Sequence, residues 1–471
     1  MSKNNKAAQA GVGYVIGNYF LKGLSFLTLP IFVRLMSTAD FGIYNTFLAY
    51  ESIFFVIIGF TIHASFKNAK YKYKEKYDQY VSSSLFLLVI SFVLWFLLTF
   101  IFSGFLIKVF NLDRISLCML VLYSFSSAVI NCLNSYLALN FEYQSFLAVS
   151  AINAIGNILL SVILINTVFS SERYLGRIIG TTVPAFLISV FVIIKFIFKE
   201  RPKNCKAYWK WGLSYSLPII PHGISQVILN QFDRIMIQSI IGASQAGIYS
   251  FSYSIYSIIQ VTTTSLDSAW EPWFYEKMNS KEYDLINKRS TQYIFGILIF
   301  SVLVMLASPE LITILGSKAY WDAKYSVVPI IGAGFFSYLY TIPSAVEYYY
   351  SKTKYIAVGT TVAAILNIVL NFIFIEQYGY IAAAYTTLFT YFVYFIMHYI
   401  ISRKIFSENI FNFKMILFSI VCILITVMVT VLFIDNLFIR LSIGIVVLLT
   451  GIIYEERNLG LIKKYIGRRK H

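Results

Sequence analysis

The sequence predicts an all-α polytopic membrane protein with fourteen transmembrane helices, and three observations support this fold class. Hydrophobic residues fill 58% of the 471 positions, and only 13% of the residues are charged. Apolar runs of about 20 residues, long enough to cross a bilayer as a helix, recur along the whole chain. Because these runs are continuous rather than alternating, the short strands of an outer-membrane barrel are excluded.

Each span is placed on one apolar run, with ends that follow the change in polarity. The fourteen predicted spans, numbered in chain order, are 11–33, 41–62, 82–102, 115–139, 146–168, 176–198, 212–238, 246–269, 291–308, 325–350, 355–375, 380–401, 415–434 and 438–455.

The charge distribution predicts the orientation of these spans. The formal net charge is +16, and most of the 38 Lys and Arg side chains lie in connections on the same side as the N-terminus. Cytoplasmic connections of membrane proteins carry this excess, so both termini are expected in the cytoplasm. The same distribution argues against a nucleic-acid partner. The basic segment His63–Val81 is expected to be a solvated loop that faces lipid headgroups.

The sequence offers no pattern for a cofactor, a metal or covalent catalysis. The four cysteines are Cys118, Cys132, Cys205 and Cys422, and none forms a CxxC motif. We therefore predict neither a disulfide framework nor a metal site. The short basic N-terminus precedes an apolar run that is too long for a signal peptide, and we interpret this run as an uncleaved first span.

Matching motifs indicate that the two halves of the chain are repeats. Each motif of the first half recurs in the same order in the second half. The matched pairs are Gly42-Ile43-Tyr44 with Gly247-Ile248-Tyr249, Asn153 and Asn157 with Asn367 and Asn371, and Gly176 with Gly379. Six helices in each repeat give parallel repeats. We predict an N-lobe at 1–199, a C-lobe at 200–404, and two extra helices with a basic tail at 405–471.

Three ionisable residues are predicted near the middle of the membrane. At 1.5 Å per residue, Lys22, Glu51 and His222 each lie about 15 Å into their spans. Charged side chains at this depth are costly and usually functional. The same arithmetic places Arg34 and Asp233 at the outer rim. A structural ion pair between Lys22 and Glu51 is the alternative to a functional role.

Span 7 carries an unusual polar stripe. His222, Gln226, Asn230 and Asp233 lie on one face of the helix, which should turn towards a cavity or another helix rather than lipid. Just before this stripe, Pro218 and Pro221 remove backbone donors and should kink or unwind the helix. 

Five segments of the chain carry a resemblance to a known family. They are ADFGIYN (39–45), LSYSLPIIPHGISQ (213–226), FDRIMI (232–237), AGIYSFSYSI (246–255) and WEPW (270–273). With the arrangement of six, six and two helices, the chain resembles the polysaccharide-transporter branch of the multidrug/oligosaccharidyl-lipid/polysaccharide exporter superfamily, whose members flip O-antigen, capsule and teichoic-type repeat units.

This resemblance implies a V-shaped exporter in a bacterial cytoplasmic (inner) membrane. Its central cavity would be lined by spans 1, 2, 7 and 8. The implied cargo is an oligosaccharide linked to undecaprenyl pyrophosphate, which alternating access moves from the cytoplasmic to the outer leaflet, driven by an ion gradient as in an antiporter. Membrane lipids surround it, and a glycan polymerase and glycosyltransferases of the same pathway are the expected protein partners.

We assign roles to the polar residues by matching this cargo to their chemistry. The residues expected to bind substrate are Lys22, Arg34, His222, Gln226, Asn230 and Arg234. The residues expected to couple an ion or to gate are Glu51, His222 and Asp233. The alternatives are structural: a packing role for His222, a rim pair for Asp233 and Arg234, and a snorkelling Arg34.

Other functions remain open from the sequence. A lipid II flippase or a multidrug exporter belongs to the same superfamily, although Lys22 and Arg34 do not suit cationic drugs. A membrane glycan polymerase or ligase is the alternative from another class, but the outer connections are short and carry no DxD motif. The chain has no G-x-x-x-x-G-K-[ST] motif for an ATP-driven pump.

Overall fold

The computed structural model describes residues 23–24 and 26–454 together with the single residues Gly17 and Glu456. All regular secondary structure in this part of the chain is helical. The α-helices are α1 (Phe26–Leu35), α2 (Thr38–Gly59), α3 (Phe66–Tyr73), α4 (Tyr77–Ile101), α5 (Ser103–Phe110), α6 (Arg114–Leu139), α7 (Tyr143–Asn166), α8 (Arg173–Lys199), α9 (Cys205–Ser216), α10 (Ile220–Ile240), α11 (Ala243–Asn279), α12 (Tyr283–Leu315), α13 (Lys324–Leu339), α14 (Thr341–Tyr349), α15 (Thr353–Tyr378), α16 (Tyr380–Ile405), α17 (Phe413–Leu432) and α18 (Leu437–Tyr454).

The helices confirm the all-α membrane fold class. Eleven helical stretches in the described residues are long and apolar enough to cross a membrane. The helices α10 and α11, which correspond to spans 7 and 8, are not among these eleven, because both carry many polar side chains. Span 1 is described only from its second half onward. Fourteen crossings therefore remain a prediction.

Span 7 is broken where its prolines stand. The helix α9 ends at Ser216, one turn of 3₁₀ helix covers Leu217–Ile219, and α10 then begins. Proline lacks the amide proton that the α-helical ladder needs, so the chain tightens into the 3₁₀ turn between the two helices. The predicted interruption is confirmed.

The prediction of a solvated loop at His63–Val81 was wrong. This segment is largely helical and includes α3. Phe66 and Ala69 are fully buried. The ammonium group of Lys70 donates to the Leu139 carbonyl and, at 2.7 Å, to Oδ1 of Asn140 at the end of α6. Apolar side chains at helical spacing give the basic segment one buried face, which charge alone did not reveal.

The chain divides into two compact units, residues 1–247 and 248–471. In the first unit, aromatic side chains from α3, α4, α6 and α9 pack together; Tyr77 stacks on Tyr136, and Tyr73 contacts Trp211 edge to face. In the second unit, α13 is buried along most of its length. The lobe boundaries predicted from the repeats stay a prediction.

The two glycines that were matched between the repeats contact each other. A Cβ atom built on Gly42 would lie 1.8 Å from the Ala243 carbonyl oxygen and 2.8 Å from the amide nitrogen of Gly247. A Cβ atom on Gly247 would lie 1.9 Å from the Thr38 carbonyl oxygen. Beside them, Thr38 Oγ1 and Ser244 Oγ share a 2.6 Å hydrogen bond. The backbones of α2 and α11 touch at a point where only glycine fits.

In the second unit, a buried arginine holds α18 against α12. Arg440 of α18 is 2% exposed and donates to both carboxylate oxygens of Glu310 in α12, at 2.5 and 2.6 Å. Its Nη1 also donates to the Leu306 carbonyl at 2.6 Å. A bidentate pair of this kind fixes both distance and orientation. The helix α18 is therefore anchored to α12 by a charged contact.

We expect Gly247→Ala to destabilise the protein, because the new methyl group meets backbone that has no side-chain freedom to yield. Overpacking lowers the free energy of unfolding by about 1–3 kcal/mol even where side chains can adjust. We expect a loss at least this large at Gly247. Gly296→Ala is the matched control, since a Cβ atom there meets nothing within 4 Å. The fraction of detergent-solubilised protein that stays monodisperse after heating measures the difference; equal thermal profiles for the two variants would contradict the close contact.

Candidate functional site

The polar stripe of span 7 lies on α10. Nδ2 of Asn230 donates to the Gln226 carbonyl at 2.8 Å and lies 3.5 Å from Gln226 Oε1. Asp233 is 1% exposed. Nδ1 of His222 is buried and has no hydrogen-bond partner among the described residues. The stripe is thus mostly bonded within its own helix or buried, and the cavity-facing role of these residues stays a prediction.

The helix α10 packs against α2 in the first unit. Oγ1 of Thr46 lies 3.5 Å from the Arg234 carbonyl oxygen, and Gly223 faces Val56 across the contact. Arg234 itself is 8% exposed, and its guanidinium donates to the Asn230 carbonyl at 3.3 Å and to Gln231 Oε1. The guanidinium is therefore bonded locally on α10 and is not held at an exposed rim.

The other predicted cations have different surroundings. Arg34 is exposed, and its Nη1 donates to the Pro30 carbonyl of its own helix at 3.0 Å. Lys22 lies outside the described residues. The predicted pair of Lys22 with Glu51, and the role of Lys22 towards the pyrophosphate, stay predictions for that reason.

Glu51 belongs to a polar group inside the first unit. It interacts with the side chain of Ser127 on α6, and Ser127 also interacts with Tyr123 one turn earlier. Tyr123 interacts electrostatically with both Glu51 and Arg177. This group links the predicted coupling residue on α2 to an arginine on α8 that the sequence did not single out.

Arg177 is the polar residue that the sequence analysis missed. Its Nη1 donates to Asn157 Oδ1 at 2.5 Å and to Ser161 Oγ at 2.8 Å, both on α7. Its Cζ lies 3.7 Å from the ring centroid of Phe32 and 4.9 Å from that of Tyr44. Such a guanidinium is fixed by hydrogen bonds on one edge and by stacking on its face.

The hydrogen bonds continue from Arg177 through α7 and α8 to α2. Oγ1 of Thr181 lies 3.4 Å from Asn157 Oδ1 and 3.2 Å from the Tyr44 hydroxyl. A signal for this network was present in the sequence, because Asn153, Asn157 and Ser161 recur every four residues on span 5. That spacing gives a polar face as regular as the stripe of span 7.

A polar cavity of about 360 Å³ opens beside this network. Side chains from α1, α2, α6, α7 and α8 line it, all within the first unit. Arg177, Asn157 and Tyr44 stand on one side of it, and Asn134 and Asn153 also contribute to its wall. Most of the remaining wall is apolar, so the polar groups concentrate at a few positions, as in small-molecule sites.

The second unit holds the corresponding asparagines in a closed cluster. Nδ2 of Asn371 donates to Asn367 Oδ1 at 3.1 Å, and Nδ2 of Asn367 donates to Thr387 Oγ1 at 3.3 Å. Both asparagines are fully buried. The sequence predicts interhelical hydrogen bonds for Asn153, Asn157, Asn367 and Asn371. The structure confirms them for Asn157, Asn367 and Asn371. Oδ1 of Asn153, in contrast, has no hydrogen-bond partner among the described residues. The cluster on α15 and α16 is neutral, whereas the one around Asn157 includes a guanidinium.

A buried pair in the second unit corrects another expectation. His398 lies near the end of predicted span 12, a position that predicts a residue at the membrane interface, and this prediction is wrong. His398 and Glu347 are both fully buried, with Nδ1 of the histidine 2.6 Å from Oε1 of the glutamate. Ring contacts with Tyr340 and, edge to face, with Tyr394 keep the histidine ring inside the helix packing. Burial of this kind depends on tertiary contacts that hydropathy does not record.

A long apolar groove runs between α12, α17 and α18 in the second unit. Its volume is about 720 Å³. Its lining is dominated by aliphatic and aromatic side chains, among them Leu298, Val302, Phe418, Ile425 and Ile443. Lys414 and Asn412 supply polar groups to the same lining. The two helices that follow the repeats therefore form an elongated apolar surface.

We expect Arg177→Lys to destabilise the first unit although it keeps the positive charge. An ammonium group replaces the planar fork that contacts Asn157 and Ser161 and stacks on Phe32, and hydrogen bonds to charged groups contribute about 1.5–3 kcal/mol. Arg114→Lys is the matched control, because Arg114 is exposed and contacts only the Phe100 ring in the described structure. Thermal unfolding of the purified variants is the measurement; no loss beyond that of the control would contradict a structural role for the guanidinium.

Comparisons with known proteins agree with this architecture. The structure of the lipid II flippase MurJ in an inward closed conformation superposes with a TM-score of 0.71 over 94% of this chain and 98% of that chain, at 18% sequence identity. An inward-facing multidrug resistance transporter of the MATE family, in the MOP superfamily, gives a TM-score of 0.62 over 81% and 98% of the two chains, at 14% identity. The fold is therefore that of the MurJ and MATE transporters.

Sequence comparison identifies the family of the chain. A protein of the Lsg locus of Haemophilus influenzae is 22% identical over 377 residues, which cover 77% of this chain and 90% of that protein. The profile of the family described as "Polysaccharide biosynthesis protein" matches residues 9–278, more than half of the chain. The chain is thus a multi-pass membrane protein that belongs to the polysaccharide biosynthesis protein family.

Proposed function

We propose that this protein is a flippase for lipid-linked oligosaccharides in a bacterial cytoplasmic membrane. It moves repeat units on undecaprenyl pyrophosphate from the cytoplasmic to the outer leaflet by alternating access. One observation carries the proposal: a chain of the polysaccharide biosynthesis protein family has, over 94% of its length, the fold of a lipid flippase. Membership of the family supports a glycan as part of the cargo, and the fold supports transport of a lipid.

The apolar groove suits the tail of such a cargo. A polyprenyl chain is long, flexible and entirely hydrocarbon, so it gains most from an elongated apolar surface. The groove between α12, α17 and α18 offers such a surface, and the pair of Arg440 with Glu310 holds α18 in place beside it. We propose that the groove guides the tail while the headgroup crosses.

The headgroup needs cationic partners where water is scarce. We propose that Lys22, Arg34 and Arg234 supply them to the pyrophosphate, since arginine in particular matches phosphate oxygens in a bidentate manner. Polar side chains on α10, namely His222, Gln226 and Asn230, are proposed to contact the sugars. An oligosaccharide presents many hydroxyl groups, and these amides and the imidazole can both donate and accept.

Coupling is proposed to pass through the acidic and imidazole groups. Glu51 interacts with the side chain of Ser127 on another helix, so a change in its protonation would alter an interaction between α2 and α6. Histidine changes charge near neutral pH, which makes His222 suited to a proton-linked step. Asp233 is the third group proposed to couple or gate. An ion gradient is then the driving force.

A lipid II flippase is the second candidate, because the superposition with MurJ covers nearly the whole of both chains. Lipid II is also a glycan on undecaprenyl pyrophosphate, so both candidates use the same headgroup chemistry and the same apolar groove. The two differ in the sugars. A glycan polymerase and glycosyltransferases are the proposed partners, as producers and consumers of the cargo.

We expect cells that lack this protein to accumulate lipid-linked repeat units at the cytoplasmic leaflet and to lose surface glycan. Wild-type protein should restore the glycan, and Arg234→Ala should reduce its export at least tenfold, because removal of one charge-assisted contact of about 1.4 kcal/mol has this effect. Arg403→Ala is the matched control, since Arg403 is half-buried and its Nη1 donates to the Glu408 carbonyl, away from α10.

Variants at normal expression levels are compared by surface glycan and by the leaflet distribution of the intermediates. Export by Arg234→Ala at the control rate would contradict the role of this arginine. Rates that persist after both the proton and the sodium gradients are collapsed would contradict the coupling. Sugar transfer by the purified protein would replace the transport function with an enzymatic one.

A further inference from the structure

The cavity of the first unit combines a fixed cation with amide oxygens that have no hydrogen-bond partner among the described residues. We propose that this cavity, beside Arg177, binds a small oxyanion that also carries hydroxyl groups, such as a sugar acid or a phosphate. Sugar acids and phosphates both occur in lipid-linked glycans, so the proposed site extends the proposed function. The proposed site rests on that function only for the source of the ligand.

The guanidinium of Arg177 is only partly used. Its Nη1 makes both hydrogen bonds, to Asn157 Oδ1 and Ser161 Oγ, while Nε and Nη2 have no hydrogen bond with any residue that the structure describes. Phe32 covers one face of the group at 3.7 Å. Because one edge is bonded and one face is stacked, the remaining N–H groups keep a fixed direction. A fixed fork of donors is suited to bidentate binding of an oxyanion.

Two amides in the same wall also lack partners. Asn134 of α6 and Asn153 of α7 line the cavity, and within the described part of the chain neither Oδ1 atom has a hydrogen-bond partner. An unpaired amide away from water costs about 1–3 kcal/mol, so a ligand that pairs with it gains affinity. Each amide can donate through Nδ2 and accept through Oδ1. Hydroxyl groups beside the oxyanion satisfy both.

The charge of the wall selects an anion rather than a cation. Arg177 is the charged member of the lining, and no Asp or Glu lines the cavity among the residues from 26 to 454. Glu51 does not belong to the lining and interacts instead with Ser127. Because no carboxylate of the lining offsets its charge, the Arg177 guanidinium repels a metal ion or an ammonium ligand.

The size of the cavity limits the ligand to a small molecule. A volume of about 360 Å³ lies at the lower end of the range of small-molecule sites. One sugar acid or one phosphate group fits this space, and an oligosaccharide does not. The neutral cluster at Asn367 and Asn371 in the second unit is closed by its own hydrogen bonds, so the site belongs to the first unit alone.

Protection of an introduced cysteine tests the site directly. Ser150 lines the cavity, and Ser150→Cys is placed in a background in which the four native cysteines are replaced. The purified protein is treated with a small neutral methanethiosulfonate in the presence of glucuronate, inorganic phosphate or glucose. We expect glucuronate or phosphate to slow the reaction at least fivefold and glucose to leave it unchanged. Ser170→Cys, at an exposed position, is the control that no probe should protect.

Variants of the wall separate binding from a general effect on the protein. Arg177→Gln should abolish protection, and Asn153→Ala should raise the protecting concentration about tenfold while leaving the partners of Arg177 intact. Asn131→Ala is the matched control, because Asn131 is exposed on α6 and its amide bonds only to the Ser127 carbonyl. If Arg177→Gln does not fold, Asn153→Ala still decides the outcome.

Each result has one meaning. Stronger protection by glucuronate assigns the site to a sugar acid of the glycan, and stronger protection by phosphate assigns it to a phosphate group; both support an oxyanion site. The proposal is overturned if neither probe protects, if glucose protects equally, or if Asn153→Ala is protected like the control. If the protein exports glycan but no probe protects the cysteine, the oxyanion site is rejected and the flippase function is retained. If a probe protects the cysteine but the protein exports no glycan, the flippase function is rejected and the oxyanion site is retained.

Discussion

Lipid offers no hydrogen bonds, and this constraint governs where the polar side chains of the protein lie. Each buried polar group on a membrane helix must find its partner on that helix or on another one. Asn367 and Asn371 meet this demand together with threonines of α16, and Arg440 meets it with Glu310. His398 and Glu347 do so with each other. The helix packing is therefore held at specific points in addition to the general contact of apolar surfaces.

The same constraint explains why incompletely paired groups carry functional meaning. An unpaired guanidinium edge or amide raises the free energy of a membrane helix that is packed in lipid. Such groups are therefore expected beside cavities that water or a ligand can enter. Arg177, Asn134 and Asn153 meet this description in the first unit. The groove of the second unit has the opposite chemistry, since it is almost entirely apolar. The cavity suits a small group that is charged and hydroxylated, and the groove suits a hydrocarbon chain.

Features that depend on local sequence were predictable. Long apolar runs located the helices, the prolines located the break before α10, and the repeated Gly-Ile-Tyr motif located two glycines that touch. Features that depend on which helices become neighbours were not. Arg177 lies near the predicted start of span 6, a position that predicts an interfacial arginine. It joins a hydrogen-bond network only because α7 packs beside it. His398 was missed for the same reason, because its partner lies 51 positions away.

The most direct test of the central claim is the transfer of a lipid-linked glycan by the purified protein alone. Proteoliposomes that contain a fluorescent undecaprenyl-pyrophosphate disaccharide in both leaflets are exposed to an impermeant reagent that destroys the outer label. If the protein is a flippase, the inner label becomes accessible, in the presence of an ion gradient, at a rate well above that of protein-free liposomes. An inner label that stays protected under both inward and outward gradients, with folded protein in the membrane, would contradict the account.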